Sequence, residues 1–179
     1  MAENDKRSLI FKPFNDASFA ATKADWEKGA EEGKAFPADV EQLLKWASEH
    51  LAVNGNELAY GVFEGGSTVA SGICEVIISH PAGKKSWVKL LRLRLHPKVE
   101  DELFRNDPAG IKTALNAYVS AVIGAYHVKT VHNASTIKIY GRTQEQMKFL
   151  TLLAAALEDK AVEFKASIEG RWLVLRWTK

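Results

Sequence analysis

With 179 residues, 46% hydrophobic and 26% charged, the chain has the balance of a single globular domain over residues 1–179 with a sizeable core. Twenty-four basic against 22 acidic residues leave a formal charge of +2, too small an excess for general nucleic-acid binding. Cys74 is the only cysteine, which excludes an intrachain disulfide and a multi-cysteine zinc site. The opening MAENDKRSLIF has no apolar stretch of signal-peptide length, and no run approaches the roughly 20 apolar residues of a membrane span. A cytoplasmic location with no membrane partner is the expectation.

Ser8 to Phe14 is a short apolar run closed by Pro13 and reads as an opening strand. Asn15 or Asp16 caps the helix that follows, with Phe19, Lys23, Trp26 and Ala30 near one face and Gly33 as a stop. A second helix takes Pro37 into its first turn and places Val40, Leu43, Leu44, Ala47 and Leu51 at helical spacing, ending at Asn54-Gly55. Three strands come next. Leu58–Phe63 leads through the turn Glu64-Gly65-Gly66-Ser67 into Thr68–Ser79, rich in β-branched residues. After the loop His80-Pro81-Ala82-Gly83, Ser86–His96 alternates Leu91, Leu93 and Leu95 with Arg92, Arg94 and His96, and Pro97 stops it.

Pro108–Tyr126 reads as an amphipathic helix with Ile111, Leu115, Tyr118, Val119, Val122, Ile123 and Tyr126 on its apolar side. Val128–Tyr140 is extended and β-branched, with a break near Asn133. Thr143 is the N-cap of a last helix whose face is Met147, Leu150, Leu153, Ala154 and Leu157. Val162–Ile168 and Arg171–Trp177, joined across Glu169-Gly170, form a closing antiparallel hairpin. The order is β-α-α-β-β-β-α-β-α-β-β: an α/β (α+β) chain with a mixed, mostly antiparallel sheet of about seven strands and four helices.

That order resembles the GNAT superfamily of acyl-CoA-dependent N-acetyltransferases from end to end. The meander LAYGVFEGGSTVASGICEVIIS…SWVKLLRLRLHP carries the likeness, its final L-H-P resembling the family's strand ending before a proline. The family's phosphate-binding motif begins with Arg or Gln, continues through two residues to Gly, and closes one residue later with Gly or Ala. Here Arg105-Asn106-Asp107-Pro108-Ala109-Gly110 stands in its place. Arg105 and Gly110 fit the ends. Pro108 replaces the first glycine and removes an N–H that would face phosphate, and Asp107 sets a carboxylate beside it. The same residues also read as an ordinary helix start, with Asp107 as cap and Pro108 as first residue. The resemblance implies acetyl-CoA as co-substrate, contacts to it from Leu93, Leu95, Arg105, Ala109, Gly110 and Arg142, and an amine of a small molecule or protein as acceptor.

Acetyl transfer needs a deprotonated amine, a polarised thioester carbonyl and a proton for the departing thiolate. The fourth strand holds no carboxylate, so Glu75 on the preceding strand is the candidate base; its alternative is an ion pair with Arg92 or Arg94. The last helix has no tyrosine before the hairpin, which leaves Tyr140 as candidate acid or as a packed aromatic. His96 is a candidate base or simply a strand end. Lys89, Arg92 and Arg94 form a basic row that would draw an acidic partner, or a solvated face. His127 and His132 lack a third ligand, so no metal is expected. Cys74 reads as inert core. Trp172 and Trp177 lie on opposite sides of the closing hairpin, one packed and the other suited to a homodimer interface. The missing carboxylate, the missing tyrosine and Pro108 favour the alternative, a GNAT-like binding or regulatory module without acetyl transfer, in which acetyl-CoA need not bind. The full-length topology with Arg105 and Gly110 keeps acetyl transfer ahead of it.

Overall fold

The computed structural model describes residues 9–32, 38–51, 55–80, 85–158 and 163–177. Ser8, Gly33, Pro37, Asn54, the loop residues 81–83 and Val162, all invoked above, lie outside them. The strands are β1 (Leu9–Pro13), β2 (Glu57–Glu64), β3 (Ala70–Ser79), β4 (Trp87–Leu95), β5 (Thr136–Tyr140), β6 (Phe164–Glu169) and β7 (Trp172–Trp177). They form a seven-stranded sheet in the order β1-β2-β3-β4-β5-β7-β6. The β1–β2, β5–β7 and β6–β7 pairs are antiparallel, and β4–β5 is parallel. The helices are α1 (Asp16–Glu32), α2 (Ala38–Glu49), α3 (Pro97–Phe104), α4 (Pro108–Val131) and α5 (Gln144–Glu158). Among the described residues five helices stand where four were expected: α3 occupies the stretch after Pro97, where no element was predicted. Among the described residues no helix is long and apolar enough to cross a membrane.

Contacts divide the chain into two compact units, residues 1–74 with 93–124 and residues 75–92 with 125–179. The first is built around Trp26, wholly buried on α1, with Phe14, Phe19, Val40, Leu43, Leu44, Ala47, Phe63 and Ile73. Asn15 and Ser18 cap α1 reciprocally: Asn15 Oδ1 accepts the Ser18 N–H at 2.8 Å, and Ser18 Oγ accepts the Asn15 N–H at 3.1 Å. Both backbone groups of Ala70, the first residue of β3, are taken by α1. Its N–H donates to Thr22 Oγ1 at 2.9 Å and its carbonyl accepts Trp26 Nε1 at 2.8 Å. The buried face of α1 therefore runs Phe19, Thr22, Trp26, Ala30, while Lys23, expected on it, is exposed and pairs with Glu27 at 3.8 Å. Spacing by four drifts off a face that bends back to Thr22 to satisfy Ala70.

In the second unit β5, β7 and β6 bury Ile137, Ile139, Ala166, Leu173, Val174 and Leu175, and α5 adds Leu150 and Ala154. The α5 start is a capping box as read from Thr143: its Oγ1 accepts the Gln146 N–H at 3.1 Å, and Gln146 Oε1 accepts the Thr143 N–H at 3.2 Å. Gly170, at φ 60°, closes the hairpin.

Two readings of the second half are corrected. Val128–Val131 is the last turn of α4, not strand; the helix ends where Asn133 turns left-handed (φ 47°) and the Ala134 N–H bonds the Lys129 carbonyl at 2.8 Å. The apolar side of α4 is also inverted. Ile111, Leu115, Val119, Ile123 and Tyr126 are exposed, and Ala114, Ala117, Ala121, Ala125 and Val128 are buried. Small residues allow close approach. A Cβ on Gly124 would lie 2.7 Å from Phe11 Cγ, so β1 runs against the helix where that side chain is missing.

Candidate functional site

In the first unit the chemistry collects where β4 ends. Leu93 and Leu95 are buried. The His96 N–H donates to Ser71 of β3 at 2.9 Å, so the preceding N–H, that of Leu95, points away from β3. Glu100 of α3 receives it: Leu95 N to Glu100 Oε1 is 3.1 Å. The same carboxylate takes both arms of Arg94, Nε to Oε1 at 2.8 Å and Nη2 to Oε2 at 2.6 Å. The side chains of this pair are only 17% and 15% exposed, which favours a two-pronged, charge-assisted bond.

His96 begins α3 as its N-cap, with Pro97 at the first helical position and Nδ1 accepting the Lys98 N–H at 3.2 Å. Its ring meets Trp26 edge-on at 5.8 Å, and a Cβ on Gly29 would lie 2.7 Å from Cε1. Nε2 is buried, 3.0 Å from Asp25 Oδ2 but off the direction of a hydrogen bond. His96 thus fastens α3 under α1.

The residues matched to the phosphate-binding motif form the joint between α3 and α4. The Arg105 N–H bonds the Asp101 carbonyl at 3.1 Å, Asn106 bonds Leu103 at 3.0 Å and Asp107 bonds Glu102 at 3.0 Å. Asn106 is left-handed at φ 56°, so these bonds close α3 in a Schellman-type turn. Pro108 has no N–H, and the Ala109 N–H is held by Asp107 Oδ1 at 2.7 Å. Gly110 is buried against α3: an added Cβ would lie 2.6 Å from Glu102 Cβ and 3.0 Å from the backbone of Glu102 and Leu103.

In the second unit Glu75 is 7% exposed and Arg92 Nε donates to its Oε2 at 2.6 Å, the first of the two ion pairs considered for it. Lys89 lies 5.8 Å over Trp87, so none of the basic row is a bare solvated charge. The parallel β4–β5 register runs from Trp87↔Thr136 to Leu90↔Ile139 and ends there, although β5 continues to Tyr140. Tyr140 is half-buried, 4.9 Å from Trp172 and 5.8 Å below the Arg171 guanidinium. Arg171 ties the following corner by donating to the Gly141 carbonyl at 2.8 Å and to the Arg142 carbonyl. The Arg142 N–H is held by Gln146 Oε1 at 2.8 Å. Both tryptophans of the hairpin are half-buried, Trp177 lying 5.0 Å from Phe164 and 4.3 Å under Lys129. Among the described residues no three metal-ligating side chains cluster.

Glu100 and α3 were missed from the sequence. The available signal was a proline at a helix's first position followed by an acid in its first turn, His96-Pro97-Lys98-Val99-Glu100.

No family model matches the chain, and no curated protein does. Solved structures do. AtaTR bound with acetyl-CoA aligns at a TM-score of 0.54 and 12% identity, covering 94% of this chain and 93% of that one. A tyrosine-to-phenylalanine mutant of the AtaT toxin, bound to the C-terminus of the antitoxin AtaR, aligns at 0.52 and 10% identity, covering 94% and 91%. A GNAT family acetyltransferase from Brucella melitensis in complex with acetyl-CoA aligns at 0.48 and 12%, covering 97% and 90%. The chain shares the fold of the two AtaT structures, the GNAT fold.

Proposed function

We propose that this chain is an acetyl-CoA-dependent N-acetyltransferase acting on an amine of a small molecule or protein, working as a single domain in the cytoplasm. The observation that carries the reading is that, within this fold, β4 runs on to Leu95 beyond the end of its pairing with β5 at Leu90↔Ile139. Parallel strands that stop pairing leave backbone donors and acceptors that a ligand's own amides can satisfy. Glu75, buried with its charge held by Arg92, is the proposed base, and Tyr140 the proposed proton donor. His96 is given a positioning role, as the cap that sets α3.

The cradle for the co-substrate's pyrophosphate does not fit as it stands. From Arg105 to Ala109 every backbone amide is either committed to an internal acceptor or absent at Pro108. No catalytic step is therefore routed through the group. The same observation favours a second reading, a GNAT-fold binding or regulatory module without acetyl transfer.

The test is acetyl-CoA titrated into the full chain by calorimetry, followed by thiol release across a panel of amines. A ligand at 100-fold its Kd adds about 2.7 kcal/mol of stability, so a thermal shift must accompany binding. Binding with thiol release supports the transferase. Binding without release by any amine supports the module. No binding up to millimolar concentration, in the parent and in Glu100→Ala alike, removes the transferase and leaves the module, which does not need acetyl-CoA.

A further inference from the structure

We infer that α3 is a built-in plug. Its Glu100 carboxylate and its C-terminal carbonyls occupy donors that an acyl-CoA would use, so entry requires residues 97–107 to move away. The inference rests on the transferase reading above and concerns the regulation of that site.

The donors are of two kinds. Leu95 N–H, pointing away from β3 at the end of β4, and the Arg94 guanidinium converge on one carboxylate. A main-chain amide beside an arginine fork is suited to a phosphate or a polarised carbonyl oxygen, and Glu100 supplies such an oxygen from within the chain. The second group is the run Arg105, Asn106 and Asp107, whose N–H groups are turned back onto the carbonyls of Asp101, Leu103 and Glu102. Asp107 does the same for Ala109 with its side chain. One short helix thus holds both sets, and carboxylates stand where an anionic ligand's oxygens would go.

The segment is also held at defined points. His96 caps its start under Trp26, the Arg94–Glu100 pair clamps its middle, and Gly110 lets α4 close on Glu102 and Leu103. Opening therefore does not need the core to unfold. It needs the Glu100 pair exchanged for a ligand anion on Arg94, which balances charge for charge.

The experiment compares acetyl-CoA affinity of the parent and Glu100→Ala by calorimetry. The expected result is binding at least tenfold tighter in Glu100→Ala, because the internal competitor is gone. Equal or weaker binding in the variant, with measurable binding in the parent, overturns the plug and leaves the transferase reading standing. No binding in either chain removes both. Should Glu100→Ala fail to fold, hydrogen exchange on the parent decides. Saturating acetyl-CoA should speed exchange at the α3 amides of Leu103 and Phe104, and unchanged or slower exchange there overturns the plug.

Discussion

Gly110→Ala separates a glycine kept for a phosphate from a glycine kept for helix packing. In a helix the substitution ordinarily stabilises, by up to about 1 kcal/mol, because alanine loses less backbone freedom than glycine. A glycine needed only to let phosphate approach would show that gain. Here the new methyl would lie 2.6 Å from Glu102 Cβ and 3.0 Å from the Glu102 carbonyl carbon and the Leu103 nitrogen. Ordinary carbon contacts lie at about 3.5–4.0 Å, so the overlap is roughly 0.5–1 Å, and two of the three atoms are backbone that cannot rotate away. Overpacking costs about 1–3 kcal/mol, and contact with immobile backbone puts this site in the upper half of that range, so the propensity gain still leaves a net loss of about 1–2 kcal/mol. For a chain of this length that lowers the melting temperature by roughly 2–8 °C. Thermal unfolding followed by far-ultraviolet circular dichroism, with urea denaturation to show an unchanged slope, measures it. A variant as stable as the parent, or more so, refutes the packing account of Gly110.

Glu75→Ala strands the Arg92 guanidinium, 27% exposed, and should cost about 2–3 kcal/mol in urea denaturation. The double variant Glu75→Leu with Arg92→Met should recover most of that loss; strict additivity of the two single changes would show that the pair is not coupled. The Arg176 hydrogen bond holds the Glu169 carboxyl below its ordinary value of 4.5. A depressed folded-state value contributes stability that is present above that ordinary value and lost as pH falls through the folded one. Glu169→Gln should therefore flatten the dependence of melting temperature on pH below about 4.5, and an unchanged acid limb would discount the pair. On α4, Ile123→Ser should leave stability within about 0.5 kcal/mol, whereas Ala121→Leu should cost about 1–3 kcal/mol. The opposite ranking would mean that the helix presents its other side.

Where a structural rule depends on a few neighbouring residues, the sequence was legible. The strands before and after Gly66 and Gly170 follow from turn glycines with positive φ between β-branched runs. Thr143 announces the α5 start, and it and Gln146, three residues on, close the reciprocal pair of bonds. Val40, Leu43, Leu44 and Ala47 mark the buried side of α2 without ambiguity, because the opposite side of that helix is charged. For Glu75 the sequence offered two partners on β4 two residues apart. Strand alternation puts both on one face, so only the three-dimensional register could choose Arg92 for Glu75 and leave Arg94 for Glu100.

The misreading of α4 and the two-sided reading of the joint before it share a cause. Periodicity reports which side of a helix carries bulk, and bulk was equated with burial. On α4 the opposite side is a ladder of alanines with Gly124 among them, and an alanine face can sit closer to a sheet than a leucine face can. Both sides of α4 are apolar, so spacing alone could not say which was covered. The motif suffers from the same confusion of form with use. Gly110 and the cap residues before it satisfy a pattern written for anion binding, yet each demand of the pattern is equally a demand of two helices meeting at a tight corner. A small residue admits a neighbour's backbone as readily as it admits a phosphate, and an amide turned toward a helix C-terminus is as well satisfied by a carbonyl as by an oxyanion. What tips the balance is α3 itself. Once Glu100 and the carbonyls of Asp101, Glu102 and Leu103 stand within 3.1 Å of those donors, a ligand arriving there must compete with the chain's own oxygens.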